Sequence, residues 1–121
     1  LTMWNNAGIF RNEQGLNQAL RDIQGLQEEY KTAFVGDSSR VYNTAYMNYL
    51  EIGNLLQVAQ AIVLGALARK ESRGSHSRTD FAKRDDKNFL QHTLISRAGD
   101  GFKTEYRPVV VTKYKPVERT Y

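Results

Sequence analysis

The sequence predicts a mainly α fold. It is a small helical bundle, made of a long central helix plus an amphipathic helix, with a C-terminal irregular stretch and a short β-hairpin extension. Three observations predict it. Between Arg40 and Arg69 only Glu51 is charged, and apolar or small residues recur every three to four positions. Residues 13–34 set an apolar face against a charged one at the same period. Beyond residue 90, the cluster Ala98-Gly99-Asp100-Gly101 separates two runs suited to strands.

Taken in order, the first eleven residues read as a leading segment pinned by Trp4, Ile9 and Phe10. Asn12 has the chemistry of a helix N-cap, and Glu13 falls in the first turn, where a negative charge suits the helix dipole. Leu16, Ala19, Leu20, Ile23, Leu26, Tyr30, Ala33 and Phe34 then form one face, opposite Gln18, Asp22, Glu28, Glu29 and Lys31. Gly15 and Gly25 weaken this helix, each by up to about 1 kcal/mol. Gly36-Asp37-Ser38-Ser39 breaks the pattern and links it to the next helix.

That next helix spans residues 43–69, with Asn43 as its cap, and is about 39 Å long at roughly 1.5 Å per residue. Tyr42, Tyr46, Tyr49, Ile52, Leu56, Ala59, Val63 and Leu67 make one stripe, and Leu55, Val58, Ile62 and Ala66 a second. A helix apolar on most sides is expected to be surrounded. A membrane span is the rival reading, but Asn54, Gln57 and Gln60 interrupt the run at three-residue intervals. The expectation is therefore a buried helix of a soluble bundle, with no direct membrane insertion.

Residues 69–84 have almost no periodicity. At Asp85 a short helix is expected over Phe89, Leu90 and Leu94, then a hairpin pairing 93–97 with 102–107. Val109-Val110-Val111 is a further strand candidate, and residues 114–121 form a basic, aromatic tail with Pro116.

At 121 residues, with 40% hydrophobic and 25% charged residues, the chain is expected to be one domain: a bundle over 1–70 and, over 71–121, an Arg/Asp-rich loop, short helix, hairpin and tail. With no cysteine, disulfides, thiolate metal sites and cysteine nucleophiles are excluded. The start at Leu1, without a basic flank and long apolar run, suggests no signal peptide and a piece of a longer chain. Residues 1–68 carry net −2 and residues 69–121 net +6. Acids interleaved with the bases (Glu71, Asp80, Asp85, Asp86, Glu105, Glu118) favour a surface that meets protein over one that meets nucleic acid.

Three groups of residues invite chemistry. His76 and His92 with Asp80, Asp85 and Asp86 fit no usual metal-ligand spacing. Ser72, Ser75 and Ser77 near His76 lack a nucleophile-elbow motif. Arg69, Arg73, Arg78 and Arg84 have the chemistry to clamp an anion. The preferred reading is that they pair with Glu71, Asp80, Asp85 and Asp86 and hold a long irregular loop in one shape.

The run Glu71-Ser72-Arg73-Gly74-Ser75-His76-Ser77-Arg78-Thr79-Asp80-Phe81, then Arg84-Asp85-Asp86-Lys87-Asn88-Phe89-Leu90-Gln91-His92-Thr93-Leu94, resembles the C-terminal domain of succinate dehydrogenase and fumarate reductase flavoprotein subunits. Their pattern is ESRGAHxRxDFPxRDDxNWLxHTL, from which Ser75, Ala82 and Phe89 depart mildly. Gly8-Ile9-Phe10-Arg11, Asp37-Ser38-Ser39, Tyr42-Asn43-Thr44, Leu50-Glu51 and Arg119-Thr120-Tyr121 are further points of likeness.

The resemblance implies a helical domain packed against an FAD-binding domain of the same polypeptide. The parent enzyme would interconvert succinate and fumarate and exchange electrons with an iron–sulfur subunit. It would lie in the cytoplasm, peripheral to the inner face of the membrane. In the family the flavin fingerprint, the flavin-anchoring histidine and the proton-delivering arginine lie upstream, so no catalytic, cofactor-binding or metal residue is assigned here. Arg69, Glu71, Arg73, Gly74, His76, Arg78, Asp80, Arg84, Asp85 and Asp86 are instead assigned to packing against that neighbouring domain. In isolation, the face it covers would favour a dimer. L-aspartate oxidase and the adenylylsulfate reductase α subunit share the domain, but Arg84-Asp85-Asp86-Lys87-Asn88, Gln91-His92-Thr93-Leu94 and the Arg119-Thr120-Tyr121 ending lean towards the succinate/fumarate branch. The competing reading is a free-standing helical interaction module whose basic half docks a partner.

Overall fold

The computed structural model describes residues 1–117; Glu118 and the Arg119-Thr120-Tyr121 ending lie outside them. Its helices are α1 (Thr2–Ala7), α2 (Glu13–Thr32), α3 (Thr44–Ala68) and α4 (Asp86–Phe89). Its strands are β1 (Phe10–Arg11), β2 (Ser77–Arg78), β3 (Gln91–Ala98) and β4 (Gly101–Pro108).

Both long helices start at the asparagines whose side chains suit the job. Asn12 Oδ1 accepts from the Gly15 N–H at 2.8 Å, and Asn43 Oδ1 from the Tyr46 N–H at 2.7 Å. Asn43 also donates through Nδ2 to the carbonyls of Asp37 and Ser39, tying down the linker. Just ahead of it Tyr42 has a φ of 53°, a left-handed conformation rare for an aromatic residue.

The core lies where α1 and the first half of α2 meet the second half of α3. Ala7, Leu16, Ala19, Ile23, Val63 and Ala66 are buried, with Met3, Leu20, Leu56, Ala59 and Leu67 packed around them. Further along, α2 and α3 are joined by stacked aromatics. The Tyr30 and Tyr49 rings lie 4.5 Å apart, and the Tyr30 hydroxyl donates to the Tyr49 carbonyl. Tyr30 sits over Gly53, where an added Cβ would come within 2.6 Å of its hydroxyl oxygen. Because the stacked ring has nowhere to swing, Gly53→Ala is expected to destabilise the chain by about 1–3 kcal/mol in urea unfolding.

Three expectations need correction. The leading segment is not pinned by aromatics: it forms α1, and Trp4 is 83% exposed. Thr2 and Ala7 hold it instead, the Thr2 hydroxyl donating to the Asp22 carboxylate while Ala7 enters the core. Next, α3 is not surrounded within this chain. Among the described residues α1, α2 and the hairpin cover part of it, and Met47, Ile52, Leu55, Val58 and Ile62 remain exposed. By length and composition α3 would suffice to cross a membrane. Two of its three interrupting amides, however, meet protein: Gln60 accepts from Gln27 and Gln57 from Arg97, while Asn54 is exposed. Finally, Val109-Val110-Val111 forms no strand. Gln91, the first residue of β3, pairs with Pro108, so the chain has run past its partner.

The hairpin is otherwise as expected, two residues longer at one end and one at the other, with Gly99-Asp100 at the turn. Gln91, Thr93 and Ile95 face inward, and Ile95 packs on Gly65 of α3. The short helix starts at Asp85 but stops at Phe89, leaving Leu94 to the strand. One pairing had no local signal: β1 and β2 lie parallel, with Phe10 beside Ser77 and Arg11 beside Arg78.

Candidate functional site: an arginine and carboxylate clasp

The last carbonyls of α3 have no partners within the helix. The loop that follows turns back to supply them. Arg78 Nη1 donates to the Ala66 carbonyl at 2.9 Å and is 3.5 Å from that of Arg69, which also accepts from His76 Nε2 at 3.0 Å. That contact fixes the neutral imidazole with its proton on Nε2.

Arg78 is 1% exposed, and its Nε and Nη2 hold both Asp80 oxygens at 2.7 Å. Asp80 in turn accepts from the Glu13 N–H at the start of α2. The pair therefore spans a helix C-terminus and a helix N-terminus, each charge on the side its dipole favours. The Phe81 ring lies under Arg78, 4.9 Å from its guanidinium carbon.

Glu71 is the second centre, fully buried. It accepts from Arg69 Nε, from Arg73 Nε and Nη2, and from the Asp85 N–H, all within 2.8–3.0 Å. Arg69 continues to the Gln91 and Phe89 carbonyls and to Thr93 Oγ1, and so fastens α3 to α4 and the hairpin. Arg73 continues to Asp86, which also pairs with Arg84. Arg84 reaches the tail through the Val117 carbonyl at 2.6 Å.

Asp85 makes no ion pair with these arginines. It caps α4, accepting from the N–H groups of Lys87 and Asn88 and from the Asn88 side chain. Gly74 turns the loop: with φ +59°, it lies between Arg73 and His76, whose backbones exchange both hydrogen bonds. No atom would touch a Cβ there, so Gly74→Ala carries only the left-handed penalty, an expected loss of about 1–2 kcal/mol in urea unfolding.

The competing chemistries find little support in this geometry. Ser72 Oγ accepts from the Arg78 N–H and donates to the Phe81 carbonyl, so the hydroxyl is a loop tie. Among the described residues no three His, Asp or Glu side chains converge to hold a metal. His92 is exposed on β3 and, among the described residues, makes no side-chain hydrogen bond to the clasp. The four clasp arginines are directed onto this chain's own carboxylates and carbonyls. What the sequence reading missed is Arg11, which β1 brings beside Arg78.

The electrostatics sets a pH signature. Burial opposes ionisation of Glu71, but the Arg73 hydrogen bond, the Asp85 N–H and the charges of Arg73 and Arg69 outweigh it, and its pKa is lowered. Hydrogen bonds from Arg78 hold Asp80 well below the usual carboxylate range, helped by the Glu13 N–H. Burial, then the charges of Arg11, Arg78 and Arg69, lower the pKa of His76 despite its bond to the Arg69 carbonyl.

All three groups bind protons more weakly in the folded chain than in the unfolded one, so acid favours unfolding. The His76 contribution is complete above 6.5 and falls as pH drops from there through its lower folded value. Those of Glu71 and Asp80 are complete above 4.5 and 3.8 and are lost as pH falls further. Urea midpoints against pH are expected to show both losses. His76→Gln, which keeps a donor for the Arg69 carbonyl, should remove only the upper one.

A family model described as fumarate reductase flavoprotein C-term matches residues 1–121. The chain belongs to this family. It is 46% identical over 121 residues to the fumarate reductase flavoprotein subunit of Mycobacterium tuberculosis, covering 99% of this chain and 21% of that one. It is 44% identical over 102 residues to the succinate dehydrogenase flavoprotein subunit of Coxiella burnetii, covering 84% and 17%. A solved Escherichia coli quinol fumarate reductase chain superposes with a TM-score of 0.92 at 38% identity, covering 97% of this chain and 20% of that one. The chain thus spans about a fifth of the length of these relatives. Subunits named for fumarate reductase and for succinate dehydrogenase both match this chain.

Proposed function

We propose that this chain is the non-catalytic C-terminal helical domain of an FAD-dependent flavoprotein subunit that interconverts succinate and fumarate. It packs onto the flavin-binding domain of the same polypeptide, within a complex that includes an iron–sulfur subunit and sits at the inner face of the membrane. Membership of the fumarate reductase flavoprotein C-terminal family is the observation that carries this reading. The uncovered stripe of α3, with Leu55 65% exposed, supports it, because an apolar surface of this kind calls for another protein surface. The clasp residues proposed to face that neighbour are Arg73, Gly74, His76, Arg84, Asp85 and Asp86, each exposed or half-buried in this chain. Glu71 and Arg78, being buried, contribute by fixing the loop's shape; Arg69 and Asp80 join the loop to the hairpin and to α2.

The test is made in the longer subunit. Leu55→Glu with Ile62→Glu should lower retained flavin and assembly with the iron–sulfur subunit. The KM for fumarate in the assembled fraction should not change, since this reading assigns no residue of the domain to the substrate. Unchanged flavin content and assembly would sink the packing role. A changed KM with normal assembly would place part of the chemistry in this domain.

A further inference from the structure

One arginine beside the clasp, Arg11, has no ion pair among the described residues. Arg11 is half-buried, and its Nε is buried without a hydrogen-bond partner among the described residues. In the parallel register it stands beside Arg78, a like charge. The carboxylates within the clasp are engaged: Asp80 by both edges of Arg78 and the Glu13 N–H, Glu71 by Arg69, Arg73 and the Asp85 N–H. Glu13, two residues along, forms no ion pair with it. Buried guanidinium N–H groups are rarely left unpaired, because the desolvation is not returned.

We infer that Arg11 is the receptor for a carboxylate, the side chain of an Asp or Glu carried by the rest of the polypeptide, which closes on the accessible side of its guanidinium when the domains pack. This rests on the proposed reading of the chain as part of a longer flavoprotein subunit. A carboxylate is the chemical class that fits, since it meets a guanidinium edge with two parallel hydrogen bonds and cancels the charge that Arg78 repels. The setting is that of an interface anchor. Ile9 and Phe10, next to Arg11 in the chain, and Trp4 in α1 are exposed, and an arginine among apolar and aromatic neighbours is a recurrent centre of binding energy.

The experiment compares Arg11→Gln, Arg11→Lys and Arg11→Glu in the longer subunit by thermal midpoint and retained flavin, then selects second-site suppressors of Arg11→Glu. Arg11→Gln is expected to lower the midpoint by several degrees and Arg11→Glu by more. Arg11→Lys, which keeps the charge and the fold but loses the fork, should fall between wild type and Arg11→Gln. Suppressors should change an Asp or Glu outside these 121 residues to Lys or Arg. Midpoints equal to wild type, or suppressors confined to these 121 residues, overturn the inference. So does a wild-type midpoint raised by millimolar acetate or succinate in a way Arg11→Gln abolishes, which would make the ligand a soluble anion. If wild type holds no flavin, the reading beneath has failed; the pairing is then judged on midpoints and suppressors alone.

Discussion

Glu71→Ala is expected to lose about 3–5 kcal/mol of unfolding free energy, a large share of the roughly 5–15 kcal/mol typical of a domain. The carboxylate is fully buried and receives Arg69, Arg73 and the Asp85 N–H. Its removal leaves two guanidinium edges and an amide without an acceptor around a position that is itself fully buried. Glu71→Gln should do nearly as badly, because its amide turns a donor towards donors. Asp86→Asn offers the contrast. Asp86 pairs with Arg73 and Arg84 at the open end of the network, where solvent screens the charges, and its loss should be far smaller. Urea unfolding of the three variants checks the ranking. If Glu71→Ala and Asp86→Asn cost the same, the clasp has no buried centre.

Arg78→Met should cost a comparable amount, about 3–5 kcal/mol, by a different route. The methionine fills the space, but Asp80 loses its partner and the Ala66 carbonyl at the end of α3 loses its donor. Arg78→Lys keeps the charge and should recover less than half of the loss, since one ammonium cannot bind two Asp80 oxygens and a helix carbonyl in three directions. In the double variant Arg78→Met with Asp80→Asn, the second change should cost less than it does alone, because the carboxylate is already unpaired. Strict additivity would count against the Arg78–Asp80 link between α3 and α2. Hydrogen exchange at the last turn of α3 reads the same event locally, and there Arg78→Met should speed exchange more than Glu71→Ala.

Much of the fold was legible because its signals are short-range. Asn12 and Asn43 are caps wherever a helix follows them, the apolar period runs through both helices, and Gly99-Asp100 turns the hairpin between alternating runs. The misreadings share a cause. Trp4, Ile9 and Phe10 suggested burial by residue type, yet burial is decided by what lies opposite, and nothing among the described residues covers them. The pairing of β1 with β2 joins residues 10–11 to 77–78, a contact to which neighbouring sequence contributes nothing.

The sequence by itself determined that arginines and acids would be concentrated after α3 and that they were matched enough to pair with each other. Tertiary structure alone decided the partners. It set Asp85 aside as the cap of α4, gave Glu71 two arginines, and sent Arg78 back to the end of α3. It left Arg11 buried beside a like charge. The physical reason is range. Caps and periodicity act within one or two turns of chain, whereas an ion pair needs two side chains to converge in space, and that is settled only when the elements bearing them have packed.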